Sequence, residues 1–235
     1  MTAQFLDQRE PNCELEIAGE NFICDPSGCL YWPEQNCMIV SDLHLEKGSS
    51  FATKGRLIPP YDTGATLNQL QLRLDYWQPK TVISLGDSFH DAQAAERIPH
   101  EYHSKLEAMM KGRSWVWIRG NHDPLAPENL TGEDAIELAI GAITFRHEPQ
   151  SGASIGEIAG HLHPTAKIKR RGKSVRRRCF VGDGTRLIMP SFGTFTGGLN
   201  IRHKAFDNIF VEPDLHAWVM GQNSIFQIHG RQLVG

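Results

Sequence analysis

Positions 37–44 read Cys-Met-Ile-Val-Ser-Asp-Leu-His, an apolar run of four residues followed directly by polar ones. The same arrangement recurs three times, with apolar runs at 81–85, 115–118 and 142–145 that lead into Gly86-Asp87, Gly120-Asn121-His122 and His147. Short uncharged runs of this kind are typical of strands that are buried on both faces. Each predicted strand therefore ends in side chains that can bind a metal ion.

Helices are predicted between these strands. One of them is indicated by apolar residues at helical spacing, namely Leu67, Leu70, Leu74 and Trp77. Two further helices are predicted over 100–111 and 131–140. Alternating strands and helices predict an α/β fold with a layered sheet, in which functional groups gather at the carboxyl ends of the strands.

Strands are also predicted on both sides of this region. Short ones are expected at 14–18, 21–24 and 29–32, and the part of the chain after His163 is β-rich, with strands expected at 186–189, 208–211, 216–220 and 224–228. This last part predicts a second sheet. Because no repeat or linker interrupts the sequence, we expect residues 1–235 to form a single domain.

The composition is that of an ordinary globular protein of 235 residues, with 40% hydrophobic and 22% charged residues. These values exclude a disordered chain and a coiled coil. The sequence contains no apolar stretch of about 20 residues, and its N-terminus lacks the pattern of a signal peptide. We therefore expect a cytoplasmic protein without a membrane segment, whose five cysteines are reduced.

The polar residues at the predicted strand ends form a mixed set of carboxylates, imidazoles and one amide. They are Asp42, His44, Asp87, Asn121, His122, His147, His161 and His163. The set has no thiolate, which excludes a structural zinc site, and its oxygen and nitrogen donors suit manganese, iron or zinc. Two metal ions held about 3.5–4 Å apart need a bridging carboxylate and several further ligands, and this set is large enough to supply them.

The order of these motifs resembles the calcineurin-like metallophosphoesterases: Asp-x-His, Gly-Asp, Gly-Asn-His-Asp, a single His and Gly-His-x-His. The resemblance spans Asp42 to His163 and implies a four-layer α/β/β/α sandwich that binds two divalent metal ions. It implies that the first ion is bound by Asp42, His44 and His163, the second by Asn121, His147 and His161, and that Asp87 bridges them. It also implies that His122 protonates the leaving oxygen as a general acid.

Four nearby features have two interpretations each. Asp123 either orients or charges His122, or caps its loop. His90 either approaches the metal site or is an ordinary loop histidine. Lys47 and Lys54 either meet phosphate or are solvated, and the glycine-containing segment 193–198 either lies against the site or is a plain turn.

Four local strings are similar to the bacterial ligase-associated DNA damage response endonucleases, a subfamily of these enzymes. The strings cover positions 41–48, 85–91, 160–164 and 190–198. This resemblance implies an enzyme that cleaves DNA in repair and acts beside a DNA ligase and a helicase. It implies Mn²⁺ as the metal, with Fe or Zn as alternatives.

A basic segment follows the last metal motif. Residues 167–178 contain eight positive residues and no acidic one: Lys167, Lys169, Arg170, Arg171, Lys173, Arg176, Arg177 and Arg178. Outside this segment the chain has 16 basic and 27 acidic residues, a net charge of −11. The total of −3 is therefore the sum of two regions of opposite charge. Such a segment attracts a nucleic-acid backbone, although it has no aromatic residue on which a base could stack. The alternative is a solvated loop.

Two other functions remain open at this point. The enzyme could hydrolyse nucleotides or other small phosphodiesters, an alternative that the basic segment disfavours. The chain could also be a metal-stabilised DNA-binding or scaffold subunit that does not cut, which the complete set of metal-binding residues and His122 disfavour.

Overall fold

The first of two sheets is built from the N-terminal half of the chain. The computed structural model describes residues 13–53, 55, 61–170 and 172–235. The strands of this sheet are β1 (Cys13–Ile17), β2 (Glu20–Cys24), β3 (Leu30–Trp32), β4 (Cys37–Val40), β5 (Thr81–Leu85), β6 (Ser114–Ile118) and β7 (Glu133–Ala135). They lie in chain order, β1 to β4 antiparallel and β4 to β7 parallel. The parallel strands bring three predicted site loops to one edge.

The second sheet has nine strands within the described residues. They are β8 (Glu137–Ile140), β9 (Ile143–Arg146), β10 (Glu157–Ala159), β11 (Pro164–Arg170), β12 (Lys173–Gly182), β13 (Arg186–Ile188), β14 (Leu199–Asn200), β15 (His216–Met220) and β16 (Ile225–His229). Strands β9, β10 and β13 are parallel neighbours, so the loops after them also emerge together.

Four α-helices are present in the described parts of the chain: α1 (Lys47–Thr53), α2 (Asp62–Trp77), α3 (Ala94–Arg97) and α4 (His100–Met110). The predicted apolar face of α2 is buried, because Leu67, Leu70 and Leu74 pack with Val40 and Val82 on the outer face of the first sheet. The helices predicted around 67–77 and over 100–111 are therefore confirmed.

The two sheets pack face to face around an apolar core. Ile39 and Ile83 of the first sheet share this core with Phe145, Ile158 and Phe180 of the second. The predicted α/β sandwich of two sheets is confirmed. Its outermost layer, on the second sheet, is formed in the described chain by irregular segments and 3₁₀ turns such as Lys204–Phe206, whose Phe206 is buried there.

Two local predictions are wrong. The segment 131–140 forms β7 and β8 instead of a helix, since Glu133 pairs with Val116 and Ile140 with Ile143 across a tight turn. Its exposed and half-buried residues alternate along β8, which is a strand period. The strand predicted at 208–211 is a turn, in which Asn208 has a φ of 62°.

Candidate metal centre

The predicted metal-binding residues come together where the two sheets meet. The loops after β4, β5 and β6 face those after β9 and β10. The His161 N–H donates to Asp42 Oδ2 over 3.1 Å, and His147 Nδ1 lies 2.8 Å from the carbonyl oxygen of Leu85. Hydrogen bonds between the two sheets thus hold the loops in register with one another.

The first cluster consists of Asp42, His44 and His163, whose ligand atoms all lie within 4.8 Å of one another. His44 Nε2 is 3.4 Å from His163 Nε2, which is 3.0 Å from Asp42 Oδ1. Asp42 Oδ1 is buried and has no well-aligned hydrogen-bond donor in the described part of the chain. A buried carboxylate oxygen that faces imidazole nitrogens without an aligned donor fits a bound divalent cation.

The second cluster consists of Asp87, His147 and His161 and meets the same distance limit. His147 Nε2 lies 2.9 Å from Asn121 Oδ1, 3.2 Å from His161 Nδ1 and 3.4 Å from Asp87 Oδ1. Because a carbonyl oxygen only accepts, the contact with Leu85 places the proton of neutral His147 on Nδ1. The Nε2 lone pair then faces oxygen atoms, an arrangement that fits a cation between them.

Asp87, a member of the second cluster, also faces the first. One oxygen, Oδ1, contacts His147 of the second cluster, and the other, Oδ2, is 3.8 Å from His44 Nε2 of the first. Asp87 is buried, and its Oδ1 also accepts the main-chain N–H of His122 over 2.9 Å. The geometry is that of a carboxylate able to bridge two ions.

Three cluster residues have charge states that suit metal binding, whereas for His163 burial is outweighed by the charge of Asp42, which raises its pKa. Burial lowers the pKa of His44 to about 3, with the neighbouring His163 and His90 adding to the effect against the attraction of Asp42. Burial likewise lowers the pKa of His161, reinforced by His147. For Asp42, burial opposes ionisation but the nearby His163 outweighs it, so that its pKa is lowered. The imidazoles of His44 and His161 are thus neutral and Asp42 is anionic at neutral pH, as metal ligands must be.

The backbone of the site is strained. Five of its residues have positive φ angles of 45–67°: Asp42, His44, Asp87, His161 and His163. Residues other than glycine seldom adopt this region, and such strain is concentrated at functional sites. Gly86, with a φ of 74°, also lets the His147 ring approach, because a Cβ there would overlap Nδ1.

His122 lies beside the clusters on the solvent side. Its side chain is 41% exposed, its Nδ1 is 2.9 Å from the carbonyl oxygen of His90, and its Nε2 is 4.0 Å from Asp87 Oδ2. The carbonyl fixes a proton on Nδ1, so Nε2 is the ring atom next to the site. This ring is placed to exchange a proton with a molecule bound there.

His90 belongs to the site. Its ring stacks on His122 at 5.1 Å and on Phe51 at 5.7 Å between centroids, and its Nδ1 lies 3.4 Å from His44 Nδ1. Of the two sequence interpretations, the structure supports the approach to the metal site. The signal in the sequence was its spacing of three residues from Asp87.

Asp123 faces the main chain of the neighbouring loop. Its carboxylate accepts N–H groups from Asp87 at 2.8 Å, Phe89 at 3.0 Å and Gly120 at 3.1 Å. Burial raises the pKa of Asp123 to about 7, partly opposed by the Phe89 N–H. These contacts favour the loop-capping interpretation over a direct action on His122.

The basic segment forms the hairpin of β11 and β12. Several of its cations contact oxygen atoms of this chain. Arg178 Nη1 donates to Ser191 O over 2.8 Å, Arg176 Nη2 to Gly198 O, and Lys167 Nζ to Gly235 O over 2.8 Å. These contacts turn one end of the hairpin towards the loop after β13.

The remaining cations of the segment differ in how far the structure describes them. Lys169, Lys173 and Arg177 are exposed. Arg171 and Lys54 lie outside the described residues, as does the side chain of Arg170.

No helix in the described chain is long and apolar enough to cross a membrane.

The chain is similar to proteins of known family and structure. A family model, calcineurin-like phosphoesterase, matches residues 36–231. Among solved structures, the nuclease MPE from Pseudomonas putida is 26% identical with a TM-score of 0.69, over 92% of this chain and 100% of that chain. Yfce, a phosphoesterase from E. coli, is 14% identical with a TM-score of 0.40, over 82% of this chain and 98% of that chain. A comparison with curated proteins found no significant match.

The family match begins one residue before β4 and extends beyond β16, so it includes both clusters and His122. Its extent covers most of the chain, and the candidate ligand clusters are those that a two-metal phosphoesterase requires. The chain is a metal-dependent phosphoesterase and belongs to the calcineurin-like phosphoesterase family.

Proposed function

We propose that this protein is a two-metal phosphodiesterase that hydrolyses DNA, and that it acts as an endonuclease. The observation that carries the proposal is the pair of ligand clusters joined by Asp87, with the exposed His122 beside them. The likeness to a nuclease at 26% identity supports DNA as the substrate. The basic hairpin, which begins directly after His163, supports a polyanionic substrate as well.

The proposed ligands follow the two clusters. Asp42, His44 and His163 would hold the first ion, Asn121, His147 and His161 would hold the second, and Asp87 would be a ligand that the two ions share. Bound divalent ions supply Lewis acidity and lower the pKa of water from 15.7 towards about 7. We propose Mn²⁺ as the native ion because the motif resemblance implies it; iron and zinc accept the same oxygen and nitrogen donors.

The protein's own residues orient the reaction. Asp42 and Asp87 supply negative charge that is buried, and the strained loops hold the imidazoles in place before a substrate arrives. His122 Nε2 protonates the leaving oxygen, while its Nδ1–H is held by the His90 carbonyl. We propose Asp123 as a residue that positions the Asp87 loop through backbone hydrogen bonds.

The biological setting is proposed from the motif resemblance. It places the enzyme in DNA repair in the cytoplasm, beside a DNA ligase and a helicase. The cysteines that the structure describes are free thiols, which is consistent with a reducing compartment.

A direct test compares substrates and metals. Metal-free protein is supplied with single metals and given circular single-stranded DNA, supercoiled plasmid and a mononucleotide. We expect Mn²⁺ to support cleavage of circular DNA, which an exonuclease cannot attack. Rapid mononucleotide hydrolysis with intact circular DNA would instead favour the small-phosphodiester alternative. Bound Mn²⁺ with no turnover on any substrate would favour the scaffold alternative.

Replacing Arg177 with Ala is expected to reduce the dependence of DNA affinity on salt. Arg177 is exposed, and each lost phosphate contact lowers the slope of log K against log salt by about 1. The measurement is fluorescence anisotropy with labelled DNA at several salt concentrations. Lys80→Ala is the matched control, because Lys80 is exposed at the opposite, amino-terminal end of β5. Equal slopes for the two variants would remove Arg177 from the DNA interface.

A further inference from the structure

The segment 190–198, here called the anchored loop, follows β13 and is fixed at both ends to the first cluster. At its start, the N–H of Gly193 donates to the main-chain oxygen of Asp42 over 3.1 Å. Just beyond its end, the N–H of Leu199 donates to the main-chain oxygen of His163 over 3.1 Å. Gly193 and Gly198 permit this approach, because a Cβ at either would overlap a carbonyl oxygen of the site loops. Of the two sequence interpretations, the segment therefore lies against the site.

Three cations hold the carbonyl oxygens of the anchored loop. Arg178 binds that of Ser191, Lys47 binds that of Phe195 over 3.0 Å, and Arg176 binds that of Gly198. Two of these cations belong to the basic hairpin. They hold the loop in place and also contribute positive charge to the surface. The loop is a rigid element whose position depends on the hairpin.

The polar side chains of the anchored loop are also bound internally. Thr194 shares hydrogen bonds with Thr66, and Thr196 Oγ1 donates to Gly193 O over 2.8 Å. By contrast, the side chain of Phe195 points outward and is 51% exposed, whereas Phe192 is completely buried. The loop therefore exposes an aromatic ring, while the side chains of Thr194 and Thr196 are hydrogen-bonded to α2 and to the loop itself.

Phe195 lies close to the first cluster. Phe195 is two residues from Gly193, so the Cα atoms of these two residues are at most about 7 Å apart. Gly193 is hydrogen-bonded to the main chain of Asp42. Arg176, Arg178 and Lys47, which contact the carbonyl oxygens of the anchored loop, place positive charge on the same segment as this ring. A charged track beside an aromatic platform is the combination by which proteins bind unpaired nucleic-acid strands.

We propose that Phe195 stacks on a nucleobase next to the phosphate that is cleaved. The inference rests on the proposed DNA-cleaving function and adds a residue that positions the substrate. A base within a duplex is already stacked on its neighbours, so only an unpaired or extruded base can offer its face to the ring. Because every base has such a face, the contact selects strand structure and not sequence.

The test combines Phe195→Ala with substrates that lack bases. One single-stranded oligonucleotide carries normal bases around the cleavage position, and a second carries abasic sites there. Phe195→Ala is expected to raise KM about five- to hundredfold on the first and to leave KM on the second almost unchanged. Phe195→Trp is expected to restore the KM of the wild type, since it keeps an aromatic face. Phe226→Ala, which removes an equally exposed ring on β16, is the control and should change neither.

Binding separates this proposal from the function on which it rests. With His122→Ala protein, quenching of 2-aminopurine in the oligonucleotide reports stacking without rapid cleavage, and adding Phe195→Ala should remove the quenching. If Phe195→Ala changed neither cleavage nor quenching, the stacking proposal would be overturned and the proposed DNA-cleaving function would stand. Wild-type protein that neither binds nor cuts DNA would overturn both. A change of oligomeric state in Phe195→Ala by light scattering would assign the ring to a contact between copies, and would also overturn it.

Discussion

Replacing His122 with Ala is expected to lower turnover on DNA by about 10²- to 10⁴-fold while both metal ions stay bound. The expected size is that of a lost general acid. The leaving alkoxide needs a proton, and His122 Nε2 is the ring atom beside the site because Nδ1 is held by the His90 carbonyl. Metal content by elemental analysis and kcat on an oligonucleotide provide the two measurements.

Metal retention in this variant has a structural basis. The contact that His122 makes at 2.9 Å with Asp87 Oδ1 comes from its main-chain N–H, which alanine also has. The orientation of Asp87 should therefore survive the substitution. A phosphodiester with a nitrophenolate leaving group needs no proton, so it should lose much less activity than DNA. Loss of one ion from the variant would reassign His122 as a ligand.

The parts of the fold that were predictable are those in which a local pattern has one explanation. Runs such as 81–85 have no charged residue inside a strand that is covered on both faces, so β5 was visible in the sequence. The convergence of Asp42 and Asp87 followed from the same patterns, since parallel neighbours such as β4 and β5 end at one edge. Their roles as ligands stay predictions.

Other features depend on partners that are distant in sequence. The segment 131–140 is short and carries charges and small residues, and only its pairing with Val116 and Ile143 makes it two strands. Asp123 could be assigned its backbone partners only once the loop of Asp87 was placed beside it. Spacing in the sequence cannot supply such tertiary contacts, which override local propensity.

The same limit applies to the basic segment. Its charge is evident in the sequence, but the contacts of Arg176 and Arg178 with the anchored loop are not, because the carbonyl oxygens lie 22 and 13 residues away. A positive run can thus hold a loop in place and attract a polyanion at once. Substituting these two arginines would disturb both, which is why Arg177 is the cleaner probe of DNA contact.

Replacing Asp87 with Asn is expected to lower turnover by about 10³-fold or more and to reduce the number of bound metal ions. The Asp87 side chain contacts imidazoles of both clusters, with Oδ1 at 3.4 Å from His147 Nε2 and Oδ2 at 3.8 Å from His44 Nε2. Losing about 4 kcal/mol of charge stabilisation in the transition state corresponds to this factor. The measurements are metal stoichiometry by isothermal titration with Mn²⁺ and kcat on DNA.

The substitution is chosen to isolate charge from shape. Asparagine keeps an oxygen that can accept the His122 N–H, so the loop should stay folded and the melting temperature should be close to that of the wild type. Asp75→Asn makes the same chemical change at an exposed position on α2 and should alter neither metal binding nor turnover. Two ions bound with unchanged affinity in Asp87→Asn would contradict a bridging role. A single remaining ion would show which cluster holds its metal without the shared carboxylate, because His147 and His44 report separately on the two clusters by NMR.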